Sequence, residues 1–300
     1  MLMNRINKIL FLFFLLIFSE TNIAIAQGSD ITQYSFSDRL NILIAIIILL
    51  GFIGFYLYRI SKGKKMFIRP ISGLMALDEA VGRATEMGKP VLFVPGITEI
   101  DDIQTLAGLS ILGYVASKTA EYDTSILVPC CTSVVMSTAQ EVVKESYIRE
   151  GRADSYVKDN ICYLTNEEFS FTAAVDGMMM RERTAANFFI GNFYAESLIL
   201  AETGSSTGAI QIAGTAQASQ IPFFVASCDY TLIGEELYAA SAYLSNDPQQ
   251  IGSLKGQDTA KILIITVLVT GCLFQTLLQF ENLKDYFPLF NNFINWFTVK

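Results

Sequence analysis

Two long apolar stretches without charged residues dominate the hydropathy pattern of this 300-residue chain. They run from Leu40 to Tyr58 and from Ile262 to Phe280. As α-helices that rise about 1.5 Å per residue, each extends roughly 28 Å, which is close to the thickness of the hydrocarbon core of a bilayer. The pattern therefore predicts an integral membrane protein, in which transmembrane helices 40–58 and 262–280 bracket a more polar region.

A shorter apolar run, from Ile9 to Ile17, precedes the first predicted span. It follows Arg5 and Lys8, and the small residues of the segment Ala24-Ile25-Ala26 come after it. A charged start, a short apolar segment and a small-x-small site are typical of a signal peptide, so we interpret residues 1–26 as one. The alternative is an uncleaved short helix that remains as a third anchor.

Basic residues flank the first predicted span unequally. Arg39 lies just before the span, whereas five basic side chains follow it: Arg59, Lys62, Lys64, Lys65 and Arg69. Since loops rich in Lys and Arg stay in the cytoplasm, we expect residues 59–261 to form a cytosolic domain and residues 27–39 to be extracytoplasmic. The predicted location is the inner membrane, with the central domain facing the cytoplasm and the lipid bilayer as a partner.

The last twenty residues, 281–300, carry a one-sided aromatic pattern. Phe290, Phe293, Ile294 and Phe297 recur at the spacing of one helical face, and Asn and Thr side chains occupy the other face. Such a pattern directly after a span predicts an amphipathic helix at the bilayer interface. Packing on a neighbouring subunit is the alternative.

The predicted cytosolic domain alternates helical periodicity with short apolar runs rich in β-forming residues. The five predicted strands are Val91–Val94, Ile126–Val128, Ile161–Leu164, Phe188–Phe193 and Ile221–Ala226. Helical patterns between the strands imply right-handed crossovers, which place helices on both faces of a parallel sheet. The fold class is therefore α/β, a Rossmann-like or flavodoxin-like three-layer sandwich with a mainly parallel sheet, flanked by the two transmembrane helices.

Charge and composition exclude several functions. Between Lys62 and Lys261 the chain has 15 Lys and Arg against 24 Asp and Glu, a net charge of −9, which repels phosphate backbones and excludes nucleic acid as a partner. The chain has no His, which removes the commonest general base and most structural zinc arrangements. We find no catalytic set, metal site or cofactor motif, so an enzyme is disfavoured.

The candidate binding residues come from the expected fold. In parallel α/β domains ligands bind beyond the carboxyl ends of the strands, where we expect Gly96 and Thr98 after the first strand, Glu196 after the fourth and Asp229 after the fifth. The complete candidate set is Gly96, Thr98, Glu196, Gly204, Gly208 and Asp229.

Gly204 and Gly208 enter this set because they enclose a run of hydroxyl side chains. A turn of this composition can present backbone N–H groups to an anion, although it has neither the Lys of a Walker loop nor G-x-G-x-x-G spacing. The alternatives are a flexible connection and a small-residue surface for subunit packing.

Three segments resemble a family of prokaryotic membrane proteins classed as a domain of unknown function. They are DEAVGRATEMG at 78–88, AESLILAETG at 195–204 and IGEELYAASAY at 233–243. The resemblance covers the predicted cytosolic domain nearly end to end. It implies no reaction, cofactor or assigned site, so no functional residue is carried over from the family.

Small residues on helices and two membrane anchors favour a structural function. Segments such as Gly108–Gly113 and Ala239–Ala242 permit close approach between subunits, and the anchors confine all copies to one plane. We therefore expect a scaffolding homo-oligomer. The alternative is a membrane-anchored sensor that binds a small molecule or nucleotide at the carboxyl ends of the strands. A weaker third hypothesis is an enzyme that uses carboxylates and a hard metal ion.

Overall fold

The computed structural model describes residues 40–61, 72–245 and 248–277. The predicted signal peptide, the segment 27–39 and the predicted interfacial helix 281–300 lie outside these ranges. The chain divides into two compact units, one of residues 51–263 and one made of residues 1–50 and 264–300. The α/β fold described below belongs to the first unit.

Six parallel strands form the sheet of the described residues. They are β1 (Val91–Val94), β2 (Ile126–Cys130), β3 (Ile161–Tyr163), β4 (Ala186–Ile190), β5 (Ile210–Thr215) and β6 (Tyr230–Ile233). Their order across the sheet is β3-β2-β1-β4-β5-β6, and every pairing is parallel. This is the strand order of doubly wound Rossmann sheets, in which the winding direction reverses between β1 and β4. The prediction of an α/β domain with a parallel sheet is confirmed.

The described helices precede, connect and follow these strands. They are α1 (Leu40–Ser61), α2 (Ser72–Met87), α3 (Ile103–Glu121), α4 (Ser133–Arg149), α5 (Glu168–Glu182), α6 (Glu196–Thr207), α7 (Ile221–Ser227), α8 (Glu235–Ser245) and α9 (Pro248–Leu277). Two short 3-10 turns, Ala153–Ser155 and Lys158–Asn160, lead into β3.

Alternate side chains of each strand point into two separate cores. On β1, Val91 and Phe93 join the core under α2, α3, α4 and α8, whereas Leu92 and Val94 join the core under α5, α6 and α7. All four β1 residues are buried because helices cover both faces of the sheet. We refer to the two groups of helices as the first layer (α2, α3, α4, α8) and the second layer (α5, α6, α7).

The predicted strand at Ile221–Ala226 is wrong, because these residues form helix α7. Pro222 lies in the first turn of that helix, where its fixed φ is compatible with helix and its missing N–H costs no bond. The strands of this region are β5 and β6, which sequence reasoning did not find. In β5 a buried Gln211 and a Gly214 packed against Leu237 interrupt the apolar pattern.

Several boundaries also differ from the predictions. Strand β2 continues through Pro129, which is possible because β2 pairs with β1 only as far as Leu127. Strand β4 ends at Ile190, since Gly191 turns the chain with a φ of 150°. The turn predicted between Gly204 and Gly208 is instead the end of helix α6, which Gly208 closes in a left-handed conformation.

Helices α1 and α9 contain most of the residues that were predicted to cross a membrane. Among the described residues, Pro248–Leu273 is one helix that is long and apolar enough to span a bilayer by length and composition, and Ile46–Ile60 is a shorter apolar helix. Within residues 51–263, Gly252 packs on Leu57 and Ile60, and Gly256 packs on Ile53. This antiparallel contact uses the G-x-x-x-G spacing that allows two helix backbones to approach closely.

Candidate functional site

The loops that follow β1 and β4 pack directly against each other at the reversal in strand order. The Ile97 N–H donates to the Asn192 carbonyl oxygen at 3.0 Å. A Cβ atom on Gly96 would lie 2.8 Å from the backbone N and O of Asn192, and one on Gly191 would lie 2.6 Å from the Pro95 carbonyl oxygen. Both positions therefore require glycine, and the loops themselves fill the crevice between the two strands.

Hydrogen bonds made by the side chains of Asp102 and Gln104 join the ends of three strands. Asp102 caps α3, since its Oδ1 accepts from the Gln104 N–H at 2.7 Å, and its Oδ2 accepts from Asn192 Nδ2 at 2.7 Å. Gln104 Oε1 in turn accepts from the Ala216 N–H at 2.7 Å and from Thr215 Oγ1 at 3.2 Å. The network connects the carboxyl ends of β1, β4 and β5 and holds them in one arrangement.

This network occupies the position where dinucleotide-binding sheets bind a pyrophosphate. In those proteins the phosphates lie at the amino terminus of the helix that follows β1, which corresponds to α3. Here the Asp102 carboxylate already accepts the free N–H group there, and Asp101 and Glu99 add further negative charge nearby. A phosphate group at this helix terminus would be repelled by these negative charges. The geometry therefore disfavours binding of a nucleotide in the way that such sheets usually bind it.

Glu196, the first residue of α6, is completely buried beside these strand ends. Its Oε1 accepts from the Tyr194 N–H at 2.9 Å, whereas Oε2 has no hydrogen-bond partner. Burial raises the pKa of Glu196 to about 7, and the neighbouring Glu168 carboxyl contributes to the rise. Because two ionised carboxylates are both acceptors, a hydrogen bond between them requires a proton on one of them.

Thr98 and the adjacent cysteines complete this edge of the sheet. Thr98 Oγ1 lies 2.9 Å from Thr105 Oγ1 on α3. Burial, together with smaller contributions from the nearby acidic side chains, raises the pKa of the Cys131 thiol to about 11. Those side chains are Glu196, Glu99, Glu168 and Glu167. Burial also raises the pKa of Cys130. Both thiols are therefore protonated at neutral pH, which makes them poor nucleophiles.

The six sequence-predicted residues fall into two groups. Gly96, Thr98 and Glu196 lie together at the carboxyl edge of the sheet, as expected. Gly204 and Gly208 belong to the last turns of α6, just before β5, and Asp229 directly precedes β6, so these three lie towards the amino ends of the strands. The fold thus separates them from the carboxyl edge.

The contacts of Gly204 and Asp229 are with neighbouring side chains and backbone of the domain, so they stabilise the fold. Gly204 provides space for the Gln211 and Asn187 side chains, which a Cβ atom would overlap. Asp229 Oδ2 accepts from the Gln211 N–H at 2.8 Å. Helical backbone from Glu196 to Thr207 replaces the loop that an anion cradle would need.

Sequence reasoning missed Gln104 and Glu168 as members of the site. Gln104 reaches β5 from α3, a contact between residues far apart in the chain, and no local pattern indicates it. Glu168 is recognisable as an acidic residue in the first turn of a helix, but its position beside Glu196 follows from the packing of α5 on α6. The described residues contain no group of three or more Cys, Asp or Glu placed to hold a metal ion.

Two concave regions lie away from the strand ends. One, of about 140 Å³, is lined by hydroxyl side chains near the amino ends of β2 and β3, among them Thr119, Tyr147 and Tyr156. The other is an open groove of about 500 Å³ between α3, α8 and the first half of α9, with Leu106, Tyr238 and Leu254 in its lining. Neither contains the buried carboxyl group described above.

Comparisons with known proteins gave one finding. A family model described as a domain of unknown function (DUF6754) matches residues 31–287. No curated protein and no solved structure gave a match.

Proposed function

This chain belongs to the family described as a domain of unknown function (DUF6754), and we propose that it is a membrane-anchored scaffold whose α/β domain self-associates. In this proposal, helices α1 and α9 insert in the bilayer and the domain faces the cytoplasm. Their apolar composition and the Gly252–Gly256 contact with α1 support a paired anchor. The basic residues after α1 support the orientation. Protease that digests the domain in right-side-out vesicles, with the cytoplasmic face enclosed, would overturn that orientation.

An apolar surface on the second layer carries the self-association proposal. Four exposed apolar side chains lie on the neighbouring helices α6 and α7, and we call them the α6–α7 patch: Leu198, Ile199, Phe223 and Val225. The two helices lie side by side, since Ser197 Oγ donates to Gln220 Oε1 at 2.7 Å. The one exposed charged residue within their bounds is Glu202. An apolar surface with so little charge is typical of a protein interface.

The charge of the chain favours a second copy as the occupant of this patch. Each copy has a net charge of −8, so two copies repel over most of their surfaces. Two copies that contact each other through the α6–α7 patch bring fewer like charges together than copies that meet through other surfaces. Membrane anchors add to this effect, because they hold the copies in one plane and raise their effective concentration.

The experiment compares two matched double variants of the full chain in detergent and in lipid nanodiscs. Leu198→Glu with Ile199→Glu places two charges in the patch. Val134→Glu with Ile148→Glu places two charges on α4 of the first layer, where both side chains are similarly exposed. Native mass spectrometry and negative-stain imaging should show oligomers for the wild type and the α4 variant, and monomers for the patch variant. A monomeric wild type, or oligomers in all three, contradicts the proposal.

A second candidate function is sensing of a small molecule at the strand ends. Two buried side-chain oxygens there, Asn192 Oδ1 and Glu196 Oε2, have no hydrogen-bond partner in the structure. Buried polar atoms are normally paired, so unpaired ones near the usual ligand position favour a binding site. A thermal-shift screen of metabolite classes tests this candidate. A reproducible rise in melting temperature with one class supports it, and no response from any class counts against it.

A further inference from the structure

A cavity of about 140 Å³ lies between α3, α4 and the loops that lead into β2 and β3. Residues 122–125 connect α3 to β2, and residues 150–160 connect α4 to β3. Both loops are at the amino edge of the sheet, opposite the edge that holds Glu196. A closed cavity of about 150 Å³ is large enough for a ligand of the size of benzene. The space therefore suits a small molecule.

Hydroxyl groups make up most of the polar lining of this cavity. Three of the residues that carry them, Thr119, Thr124 and Tyr147, are at least nine-tenths buried. Each hydroxyl can donate one hydrogen bond and accept two. A matching ligand must therefore offer both donors and acceptors, as an alcohol does. The six lining residues with a hydroxyl group are Thr119, Thr124, Ser125, Tyr147, Ser155 and Tyr156.

The two tyrosine hydroxyls in the lining make only long hydrogen bonds to the described part of the protein. Tyr147 Oη donates to the Thr124 carbonyl oxygen at 3.4 Å and lies 3.5 Å from Thr119 Oγ1. Tyr156 Oη donates to the Gln140 carbonyl oxygen at 3.4 Å. Hydroxyl groups ordinarily bond at about 2.5–3.0 Å, so these contacts are weak. A ligand hydroxyl at the ordinary distance would form a stronger bond.

Most of the remaining lining is apolar. The rings of Tyr147 and Tyr156 meet edge to face, with their centroids 6.2 Å apart. Ile126, Val143 and Ile161 add aliphatic side chains. Carbon atoms of a ligand can pack on these groups while its hydroxyls bond to the polar ones. The lining therefore suits a molecule that carries hydroxyl groups on a short carbon chain.

The charge of the lining favours a neutral ligand. Asp123 is the one acidic side chain among the lining residues, and it forms an ion pair with Arg152. Burial raises the pKa of Tyr147 and of Tyr156, so both phenols keep their protons at neutral pH. The lining thus offers no unpaired charge that would select an anion or a cation.

We propose that this cavity is a binding site for a small neutral polyol of about the size of glycerol. The hydroxyls of Tyr147 and Tyr156 bond to ligand hydroxyls, and the apolar side chains contact the ligand carbons. Water is the competing occupant, because a polar cavity of this size also accommodates water. The inference is independent of self-association and of binding at the carboxyl edge, since both involve other residues.

The test uses the full chain in lipid nanodiscs, prepared without glycerol, with glycerol as the probe. Sorbitol is the reference, because polyols that are excluded from protein surfaces raise the melting temperature without occupying a site. Saturation-transfer NMR and the melting temperature are measured over roughly 1–100 mM, where so small a ligand should saturate. We expect a saturable rise with glycerol. Sorbitol is larger than the cavity and should give only a rise that is linear in its concentration.

Four variants assign the effect to this cavity. Tyr147→Phe and Tyr156→Phe each remove one hydroxyl and should weaken glycerol binding roughly tenfold. Val143→Leu keeps every hydroxyl but reduces the space, so it should also weaken binding. Tyr163→Phe removes an exposed hydroxyl from β3 outside the cavity and should leave binding unchanged. The melting temperature without glycerol shows that each variant folds.

Three results would each overturn the proposal. The first is the absence of a saturable glycerol effect in the wild type, which leaves water as the occupant. The second is a saturable sorbitol effect of the same size. The third is unchanged glycerol binding in both Tyr147→Phe and Tyr156→Phe. Particle size in the same samples reports self-association separately, so the two proposals can fail independently.

Discussion

The two helical layers of the domain differ in how they treat polar groups. The first layer covers an apolar core and has charged outer faces, with ion pairs such as Lys144–Glu141 on α4. The second layer covers a smaller core, and side chains on it or under it contain four of the buried polar atoms without a partner: Asp176 Oδ1, Asn187 Nδ2, Glu196 Oε2 and Gln211 Oε1. The outer face of the second layer also has fewer charged side chains than the outer face of the first layer.

This contrast indicates a division of roles within one sheet. Each unpaired buried polar group costs roughly 1–3 kcal/mol of stability, so the second layer is the weaker half of the domain. The same layer has the buried Glu196 carboxyl and the α6–α7 patch. Stability therefore comes mainly from the first layer, and the surfaces that we propose for self-association and for sensing at the strand ends lie on the second.

Matched truncations in the two cores should give the largest loss of stability and show whether the two layers differ. Leu112 on α3 and Leu200 on α6 are both fully buried, one in each core. Leu→Ala changes in cores cost about 2–5 kcal/mol, with the larger losses where the surroundings cannot relax. We expect Leu112→Ala to lie near the upper end and Leu200→Ala near the lower end. Urea unfolding followed by circular dichroism checks this order, and a reversed order contradicts the division of roles.

The pH dependence of stability tests the effect of the buried Glu196 carboxyl in the second layer. Its pKa rises from an ordinary 4.5 to about 7 in the folded protein, so the folded state holds a proton that the unfolded chain has released between these pH values. Stability from this group is greatest below pH 4.5, falls by about 3 kcal/mol as the pH rises to 7, and then levels off.

The Glu196→Gln variant should lose most of this slope, because an amide has no proton to release in this range. At pH 8 it should be more stable than the wild type, since no charge is then buried. Unfolding curves at pH 5, 6, 7 and 8 measure both effects. Glu202→Gln is the control, and a slope that survives in Glu196→Gln would show that the buried carboxyl is not its source.

Substitutions at two glycines should give the smallest changes in stability, and they test the packing around single residues. Gly204 lies against Gln211 and Asn187, so Gly204→Ala must displace Gln211 from its bonds to the Ala201 and Ser227 carbonyl oxygens and should cost about 1–3 kcal/mol. Gly82 in α2 has open space where a Cβ would be, so Gly82→Ala should stabilise the protein by about 0.5–1 kcal/mol. Thermal unfolding compares the two, and the same sign for both changes would contradict this packing.

Much of the fold was predictable wherever local pattern and tertiary environment agree. Strand β1 is a short, fully buried apolar run, so it was located from sequence with the bounds that the structure has. Strand β5 was not, because Gln211 is buried by pairing with distant carbonyl groups that no local pattern shows. The missed strand led to the wrong assignment of α7 and to the displacement of Asp229 from the predicted site.

Composition and periodicity along the chain were enough to predict most of the alternation of helices and strands, the apolar helices α1 and α9, the acidic balance and the exclusion of histidine chemistry. Which polar groups meet depends instead on how the elements pack. Glu168 and Glu196 are 28 positions apart, and they become neighbours because α5 and α6 pack side by side on one face of the sheet. The filled crevice between β1 and β4 likewise depends on the approach of two loops, which no spacing in the sequence specifies.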